Sequence, residues 1–344
     1  MRVLQILPDD GVGGAELAAR NAADRQGDAL HVLSLTFGPP DPPANVRYLW
    51  SKHALSPLAA LRAVLHARRI KADVVVCSLW KSTPTLVAMR LFLPRVKTVV
   101  FLHSDRAVHR LDRWMTQIGV RLAHEVWADS PRSLADRLAE TPTHKPRRVI
   151  SFVLRRPEPK VRDRARPNFI YWGRLQPLKR VDRIIRLFGA VAKDRPDARL
   201  TVIGPDMGPG PGLRAIATEL GVADRVTFVE PETFDQIAER AKDADLYLQL
   251  SDQEGAAMSV IEAMQLGLVP VVTPVGEMPT YIQHLQTGLI YMEEGQAAAD
   301  IGRLLDDPAL FAAMSAAAVD RWAGAKLYDE DFMDAARALA SKGT

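Results

Sequence analysis

Short apolar, β-branched runs alternate with longer amphipathic stretches along the chain. In the N-terminal half the runs are RVLQIL, ALHVLSL, DVVVCSL, RVKTVVFL and EVWA, and a helix-length segment follows each of them. Near-continuous apolar strands that alternate with helices are typical of a parallel sheet covered by helices on both faces. We therefore predict a doubly wound, Rossmann-like α/β domain over residues 1–152.

The alternation stops at residues 153–167, VLRRPEPKVRDRARP, where three prolines interrupt a basic stretch without apolar periodicity. Such a stretch is typical of a linker between domains. The alternation then resumes with NFIYWG, ARLTVIG, RVTFV, DLYLQLS and LVPVVT, which predicts a second doubly wound domain over residues 168–320. From about residue 296 the pattern is helical only, so residues 321–344 are predicted to end the chain in a helix.

Length and composition agree with two folded domains. The chain has 344 residues, 47% of them apolar and 25% charged, which excludes a disordered or fibrous protein. The only cysteine, Cys77, excludes an intrachain disulfide and a thiolate metal site, and it favours the cytoplasm. The eight histidines include no helix-spaced pair with a third ligand, so we expect no bound metal.

The charge is divided unevenly. Residues 1–166 carry 28 Lys and Arg against 15 Asp and Glu, whereas residues 167–344 carry 17 against 26. A basic half suits an anionic partner, either a membrane surface or an acidic saccharide, and an ordinary solvated surface remains the alternative. On the membrane hypothesis the protein lies at the inner face of the membrane. No nucleic acid is expected.

The segment SDQEGAAMSVIEAMQ follows the apolar run DLYLQL and carries two glutamates, Glu254 and Glu262. Gly255 lets the backbone approach a ligand, and the N–H groups of Ala257, Met258 and Ser259 at the helix start form a predicted phosphate site. Glu262 lies further along the helix, at about the distance of a ribose attached to that phosphate. Its carboxylate is suited to accept hydrogen bonds from the two ribose hydroxyls.

A second segment, Gly173-Arg174-Leu-Gln-Pro-Leu-Lys179-Arg180, lies between the strand FIYW and a predicted helix. Cations at a helix start are unfavourable unless an anion is bound there. Arg174 and Lys179 are therefore candidates to stabilise a departing nucleoside diphosphate in place of a metal. The alternative is a surface Arg and Lys without a ligand.

In the first half, Gly13 and Gly14 form a glycine-rich turn after the strand RVLQIL, and His103 ends the strand VKTVVFL. The turn lacks the third glycine and the downstream acid of an NAD-binding fingerprint. Because ligands of doubly wound sheets bind at the carboxyl ends of strands, His103 is expected to point into a cleft between the two domains. Asp105 is a weaker candidate for an acceptor contact.

Together these residues resemble the family 4 glycosyltransferases of the two-domain GT-B architecture. The resemblance implies that Glu254 contacts the transferred sugar, that Glu262 contacts the ribose, and that His103 lies near the C6 hydroxyl. It places Gly13 and Gly14 near the diphosphate and acceptor, and it implies a last helix that packs back on the first domain. Gly204 and Glu230, which follow strands of the nucleotide domain, would flank the base. The chain departs from the family pattern at Arg180, Glu277 and Thr280.

The resemblance implies a retaining transferase that moves a hexosyl unit from a nucleoside diphosphate sugar to a hydroxyl of a saccharide or glycolipid, in lipopolysaccharide, capsule or exopolysaccharide assembly. No cofactor beyond the donor and no metal are expected. Three alternatives stay open: a nucleotide-sugar 2-epimerase of the same architecture, an NAD-dependent enzyme, and a non-catalytic protein that binds saccharide or membrane. Asp243-Ala-Asp245 matches an Asp-x-Asp metal motif, but it precedes a strand and so lies at the wrong end for a cleft.

Overall fold

The computed structural model describes residues 1–11, 13–26, 30–36, 38, 46–103, 106–158 and 160–342. The chain divides into two compact units, residues 1–154 with 326–344 (unit 1) and residues 155–325 (unit 2). Each unit is built on a sheet in which every paired strand runs parallel to its neighbours. The predicted α/β class with two doubly wound sheets is therefore confirmed.

Unit 1 contains a seven-stranded sheet in the order β3-β2-β1-β4-β5-β6-β7. Its strands are β1 (Val3–Leu7), β2 (Leu30–Ser34), β3 (Val46–Tyr48), β4 (Val74–Ser78), β5 (Lys97–Leu102), β6 (Glu125–Ala128) and β7 (Arg147–Val149). Its helices are α1 (Gly14–Gln26), α2 (Pro57–Ile70), α3 (Thr83–Phe92), α4 (Arg110–Leu122), α5 (Pro131–Ala139) and, from the end of the chain, α13 (Tyr328–Ser341).

Alternate residues of the central strands face different helices. Cys77, Val100 and Leu102 pack with α2, α3 and α4 on one face of the sheet. Phe101 and Trp127 point to the other face, where their rings contact Phe332 of α13. Because side chains of a strand alternate between faces, each strand has to be apolar throughout, as the runs in the sequence are.

The last helix is held in unit 1 by polar bonds as well as by apolar contacts. The buried Gln5 amide donates to Tyr328 Oη at 3.0 Å, and Lys342 Nζ lies 2.8 Å from the buried carboxylate of Glu125. The backbone N–H of Tyr328 donates to Val153 O at 2.8 Å. The segment that follows residue 325 is thus part of the first unit, although 171 residues of unit 2 separate it from residue 154.

Unit 2 contains a six-stranded sheet in the order β10-β9-β8-β11-β12-β13. Its strands are β8 (Asn168–Trp172), β9 (Arg199–Ile203), β10 (Val226–Val229), β11 (Leu246–Gln249), β12 (Val269–Val272) and β13 (Leu289–Ile290). Its helices are α6 (Val181–Ala192), α7 (Gly210–Glu219), α8 (Phe234–Ala241), α9 (Met258–Gln265), α10 (Met278–Tyr281), α11 (Glu294–Asp306) and α12 (Pro308–Ala323).

The predicted linker, residues 153–167, is divided between the units. Val153 and Leu154 are buried in unit 1, whereas Arg162 is buried in unit 2. The Arg162 guanidinium lies 2.8 Å from the Asp245 carboxylate, and Arg166 contacts the other oxygen of Asp245 at 2.9 Å. Arg162 and Arg166 are therefore structural parts of unit 2, anchored by a buried acid that directly precedes β11.

The backbone at Gly204 allows the loops after β8 and β9 to meet. Gly204 has a φ of +142°, and a Cβ built on it would lie 2.0 Å from Gly173 O. Gly173 in turn has a φ of +150°, and its N–H donates to Ile203 O at 3.0 Å. Only glycine combines such a φ with so close a backbone approach.

We expect Gly204→Ala to lower the free energy of unfolding by at least about 2 kcal/mol, because the added methyl meets backbone that cannot move aside. Gly302→Ala is the control, since Gly302 lies inside α11 with no atom near its Cβ direction. That change should be neutral or stabilising by up to about 1 kcal/mol. Urea unfolding measures both, and equal stability of the two variants would contradict the prediction.

Candidate functional site

The candidate residues of unit 2 lie at the carboxyl ends of four strands. Gly173 and Arg174 follow β8, Gly204 follows β9, Glu230 follows β10, and the Glu254 loop follows β11. Strands β8 and β11 are neighbours, and the strand order changes direction between them. In doubly wound sheets this switch point is the usual place for a ligand, because the flanking loops separate there.

Glu254 and Lys179 form an ion pair at this point. Lys179 Nζ lies 2.8 Å from each carboxylate oxygen of Glu254, which is 9% exposed. The buried amide of Gln249, the last residue of β11, also donates to Glu254. Glu254 is predicted to contact a sugar and Lys179 a diphosphate, and the structure brings the two side chains into direct contact.

Glu262 lies in α9 with a largely buried side chain, 13% exposed. The Trp172 indole donates to one of its oxygens at 3.1 Å, and the Arg155 guanidinium lies 3.8 Å from the other. Burial raises the pKa of Glu262 to about 7, against the opposing effects of Trp172 and Arg155. A carboxylate that shares few protein donors in a buried position retains acceptor capacity for a ligand.

Helix α9 begins at Met258 without a side-chain cap. Ala257 precedes it in the left-handed conformation, with a φ of +48°. Among the residues that the structure describes, the N–H groups of Met258 and Ser259 meet no protein acceptor. These donors, together with the helix dipole, make the start of α9 suitable for a phosphate.

Residues 276–281, after β12, pack against the backbone of the Glu254 loop. Gly276 has a φ of +57°, and a Cβ on it would lie 2.4 Å from Glu254 O. The Glu277 N–H donates to Gly255 O at 3.1 Å, and the Tyr281 hydroxyl donates to Ala256 O. This segment contains Glu277 and Thr280, where the chain departs from the family pattern. Its hydrogen bonds to Gly255 and Ala256 hold the backbone of the Glu254 loop in place.

The loop after β8 explains the departure at Arg180. Arg180 has a φ of +48°, a conformation that favours glycine. Its guanidinium lies 3.0 Å from Asp182 and 3.1 Å from Asp252, so ion pairs accompany the strained backbone. The half-buried Arg174, in contrast, has no ion pair with any carboxylate in the described ranges.

A concavity of about 610 Å³ opens beside the same loop, between residues 176–182 and the start of α7. Arg180, Asp182 and Asp252 contribute to its wall, whereas Lys179, Glu254 and Glu262 do not. The polar side chains that converge on β8 and β11 therefore form a site separate from this cavity.

In unit 1, His103 follows β5 with a side chain that is 4% exposed. Within the described residues neither ring nitrogen has a hydrogen-bond partner, and Nδ1 lies 3.9 Å from Asp129 Oδ2. The ring packs on Phe101 and Phe152, and burial lowers the pKa of His103 to about 3. The imidazole is thus neutral and has one donor and one acceptor for a hydroxyl group.

Gly13 and Gly14 lie where α1 begins, after β1. A Cβ on Gly13 would lie 2.1 Å from the Glu16 carboxylate, so that carboxylate covers the turn. Asp105, the weaker candidate, lies outside the described residues.

The Asp243-Ala-Asp245 motif has a structural role. Asp245 precedes β11, and its carboxylate is bound by Arg162 and Arg166, as described above. Across the described part of the chain no group of three His, Cys, Asp or Glu side chains is placed to hold a metal ion.

Several residues that shape the site were not among the residues predicted from the sequence, namely Trp172, Gln249, Arg155 and Tyr281. A polar residue such as Gln249 inside a buried strand is a usable signal, because an amide in that position needs partners. Trp172 and Arg155 gave no signal, because only the fold brings them to Glu262.

Lys179→Ala should lower the free energy of unfolding by about 1 to 3 kcal/mol, because it leaves the buried Glu254 without its cation. Adding Glu254→Gln should recover part of this loss. Lys193→Ala, at an exposed lysine at the end of α6, is the control and should change stability by less than about 0.5 kcal/mol. Chemical denaturation tests the set, and a Lys179→Ala variant as stable as the control would contradict the ion pair.

Glu262→Gln should change the pH dependence of stability. Because the pKa of Glu262 rises from 4.5 on folding, the folded state retains a proton that the unfolded state releases, and stability falls as pH rises from about 5 to about 7. The variant lacks this loss, so it should gain up to roughly 3 kcal/mol over the wild type between pH 5 and pH 8. Thermal unfolding at each pH measures the difference. Glu219→Gln, on the surface, should follow the wild type, and a constant offset for Glu262→Gln would refute the prediction.

The sequence is similar to a known protein family and to curated proteins. Residues 155–321 match the model of the family described as "Glycosyl transferases group 1". A curated relative, the D-inositol 3-phosphate glycosyltransferase of Thermobispora bispora, is 32% identical over 187 residues, which cover 49% of this chain and 44% of the relative. The chain spans less than half the length of the curated relatives it matches.

Solved structures match nearly the whole chain. Anabaena Alr3699/HepE, solved in complex with UDP, superimposes with a TM-score of 0.83 over 99% of this chain and 100% of its own, at 19% identity. The lipopolysaccharide outer core galactosyltransferase WaaB superimposes with a TM-score of 0.71 over 98% and 99% of the two chains, at 18% identity. At these identities the similarity demonstrates the fold alone. Residues 155–321 are therefore similar to the glycosyl transferases group 1 family, and the chain has the two-domain α/β fold of the GT-B structures that it matches.

Proposed function

We propose that the protein is a glycosyltransferase that moves a hexosyl unit from a nucleoside diphosphate sugar to a hydroxyl acceptor, with retention of configuration. The observation that carries this proposal is the convergence, at the switch point of a domain similar to the group 1 family, of the uncapped start of α9 with the Lys179–Glu254 pair and Glu262. Each of these features suits a different part of the same donor molecule.

The donor diphosphate is proposed to bind at the N–H groups of Met258 and Ser259, with the ribose hydroxyls at Glu262. Lys179 has three N–H donors, so it can keep one bond to Glu254 and donate another to a phosphate oxygen. Arg174, which forms no ion pair with any described carboxylate, is proposed to add positive charge at the same strand ends. We propose that these two cations, and not a metal ion, stabilise the leaving diphosphate.

Glu254 is proposed to accept hydrogen bonds from the sugar. Its two oxygens are held in place by Lys179 and Gln249, so the carboxylate is oriented before the donor binds. A preorganised acceptor loses little conformational entropy when it binds a hydroxyl. The neutral His103, with one donor and one acceptor, is proposed to bind a hydroxyl group.

The proposed donor base and acceptor are taken from the similar proteins. Alr3699/HepE was solved with UDP and with UDP-glucose, so UDP is the first base to test. The acceptor is proposed to be a saccharide or glycolipid of lipopolysaccharide, capsule or exopolysaccharide assembly, as for the galactosyltransferase WaaB. Because the curated relatives are named D-inositol 3-phosphate glycosyltransferases, inositol phosphate belongs in the same acceptor screen.

Calorimetric titration with UDP, GDP, ADP and NAD tests the donor site. One nucleoside diphosphate should bind the wild type and Glu219→Ala equally, and Glu262→Ala should weaken that binding at least about tenfold through the loss of the ribose hydrogen bonds. Binding of NAD alone, or of none of the four, would contradict the proposal. Incubation with the matching nucleotide sugar then distinguishes a glycosyltransferase from a 2-epimerase. An epimerase converts the nucleotide sugar without an acceptor, whereas a glycosyltransferase needs one.

A further inference from the structure

One face of unit 1 is unusually apolar for a solvent-facing surface. Helices α2, α3 and α4 enclose a groove of about 390 Å³, lined by apolar side chains that include Leu61, Leu91, Phe92, Trp114 and Ile118. Leu91 is 71% exposed, Phe92 61% and Trp114 55%. We refer to the outward surface of residues 57–70, 83–92 and 110–122 as the α2–α4 face.

The fold does not require these apolar side chains. The same three helices bury other residues, such as Val64, Met89 and Val120, against the sheet. On α4, Leu111, Trp114, Ile118 and Leu122 follow helical spacing on the side away from that core. An apolar stripe on the outer side of helices that already have a packed inner side indicates a surface for a partner.

The surroundings of the α2–α4 face are basic. Residues 57–122 contain twelve Lys and Arg but only three acids, namely Asp73, Asp105 and Asp112. Asp112 is buried, 2.6 Å from Arg137. Arg62 is one turn from Leu58 on α2, and Arg110 is one turn from Trp114 on α4, and both arginines are exposed. The exposed apolar groups are therefore interleaved with positive charge.

We propose that the α2–α4 face docks on the surface of a bilayer that contains anionic lipids. Leu91, Phe92 and Trp114 would enter the boundary between headgroups and acyl chains, while the arginines contact lipid phosphates. Tryptophan and arginine suit this boundary, because each combines an apolar body with a polar end.

Charge favours a bilayer over a second copy of the chain. Two α2–α4 faces brought together would place positive charge against positive charge, whereas an anionic bilayer offers both an opposite charge and an apolar layer. Docking of this kind does not need a spanning segment, and in the described part of the chain no helix is both long and apolar enough to cross a bilayer. The proposal is independent of the transferase assignment, although it would place unit 1 beside lipid-linked acceptors.

Vesicle flotation tests the proposal. The full chain should float with phosphatidylcholine vesicles that contain phosphatidylglycerol, and it should bind at least about tenfold less to pure phosphatidylcholine or at 1 M salt, because salt screens the charges. Arg62→Glu with Arg110→Glu should lower the partition coefficient at least about tenfold. Arg147→Glu with Arg337→Glu, on the edge strand β7 and on α13 across the sheet, makes the same charge change and should leave binding unchanged.

A second set of variants tests the contribution of the apolar side chains to membrane binding. Leu91→Ser with Trp114→Ser should weaken binding about tenfold or more, whereas Trp50→Ser, at an exposed tryptophan beside β3, should not. Circular dichroism and titration of the donor nucleotide show that each variant is folded, so a failed donor assignment is distinguished from failed docking. Absence of flotation, equal flotation of all variants, or dimers that the Leu91/Trp114 change dissociates would overturn the proposal.

Discussion

A parallel sheet with helices on both faces has room for polar chemistry only at its ends. In each unit the strands are buried throughout their central parts, and charged groups there would lose hydration without compensation. The polar side chains of the candidate site are consequently displaced to the carboxyl ends of β8 and β11. This constraint explains why residues as distant in sequence as Lys179 and Glu254 meet at one point.

Several buried carboxylates of the two units are compensated by cationic side chains, to different degrees. Asp245 receives two arginines at the start of β11, and Glu125 receives Lys342 from the last helix. Glu254 forms an ion pair with a lysine, whereas the described partners of Glu262 are the indole of Trp172 and the more distant guanidinium of Arg155. The incomplete compensation of Glu262 raises its pKa, and it distinguishes a carboxylate available to a ligand from carboxylates that hold the fold together.

The elements that sequence analysis did not predict have a common physical cause. Strands β3, β7 and β13 are two or three residues long and lie at or next to the ends of their sheets, where one-sided pairing and exposed or polar residues such as Arg147 and Arg148 obscure the apolar pattern. The long internal strands were predicted, because burial on both faces requires uninterrupted apolar runs. The end of the linker was not predicted correctly, because an arginine such as Arg162 is expected to be exposed to solvent. Folding brings Asp245 beside it and buries the pair in unit 2.

The sequence by itself determined the fold class, the strand-end placement of the glycine and glutamate motifs, and the resemblance to a family, because these depend on local spacing and apolar periodicity. Tertiary structure alone decided which charges pair. It pairs Lys179 with Glu254, brings Trp172 and Arg155 to Glu262, and pairs Lys342 of the last helix with Glu125. These contacts join positions far apart in the chain, and no local pattern encodes a partner that only folding brings within reach.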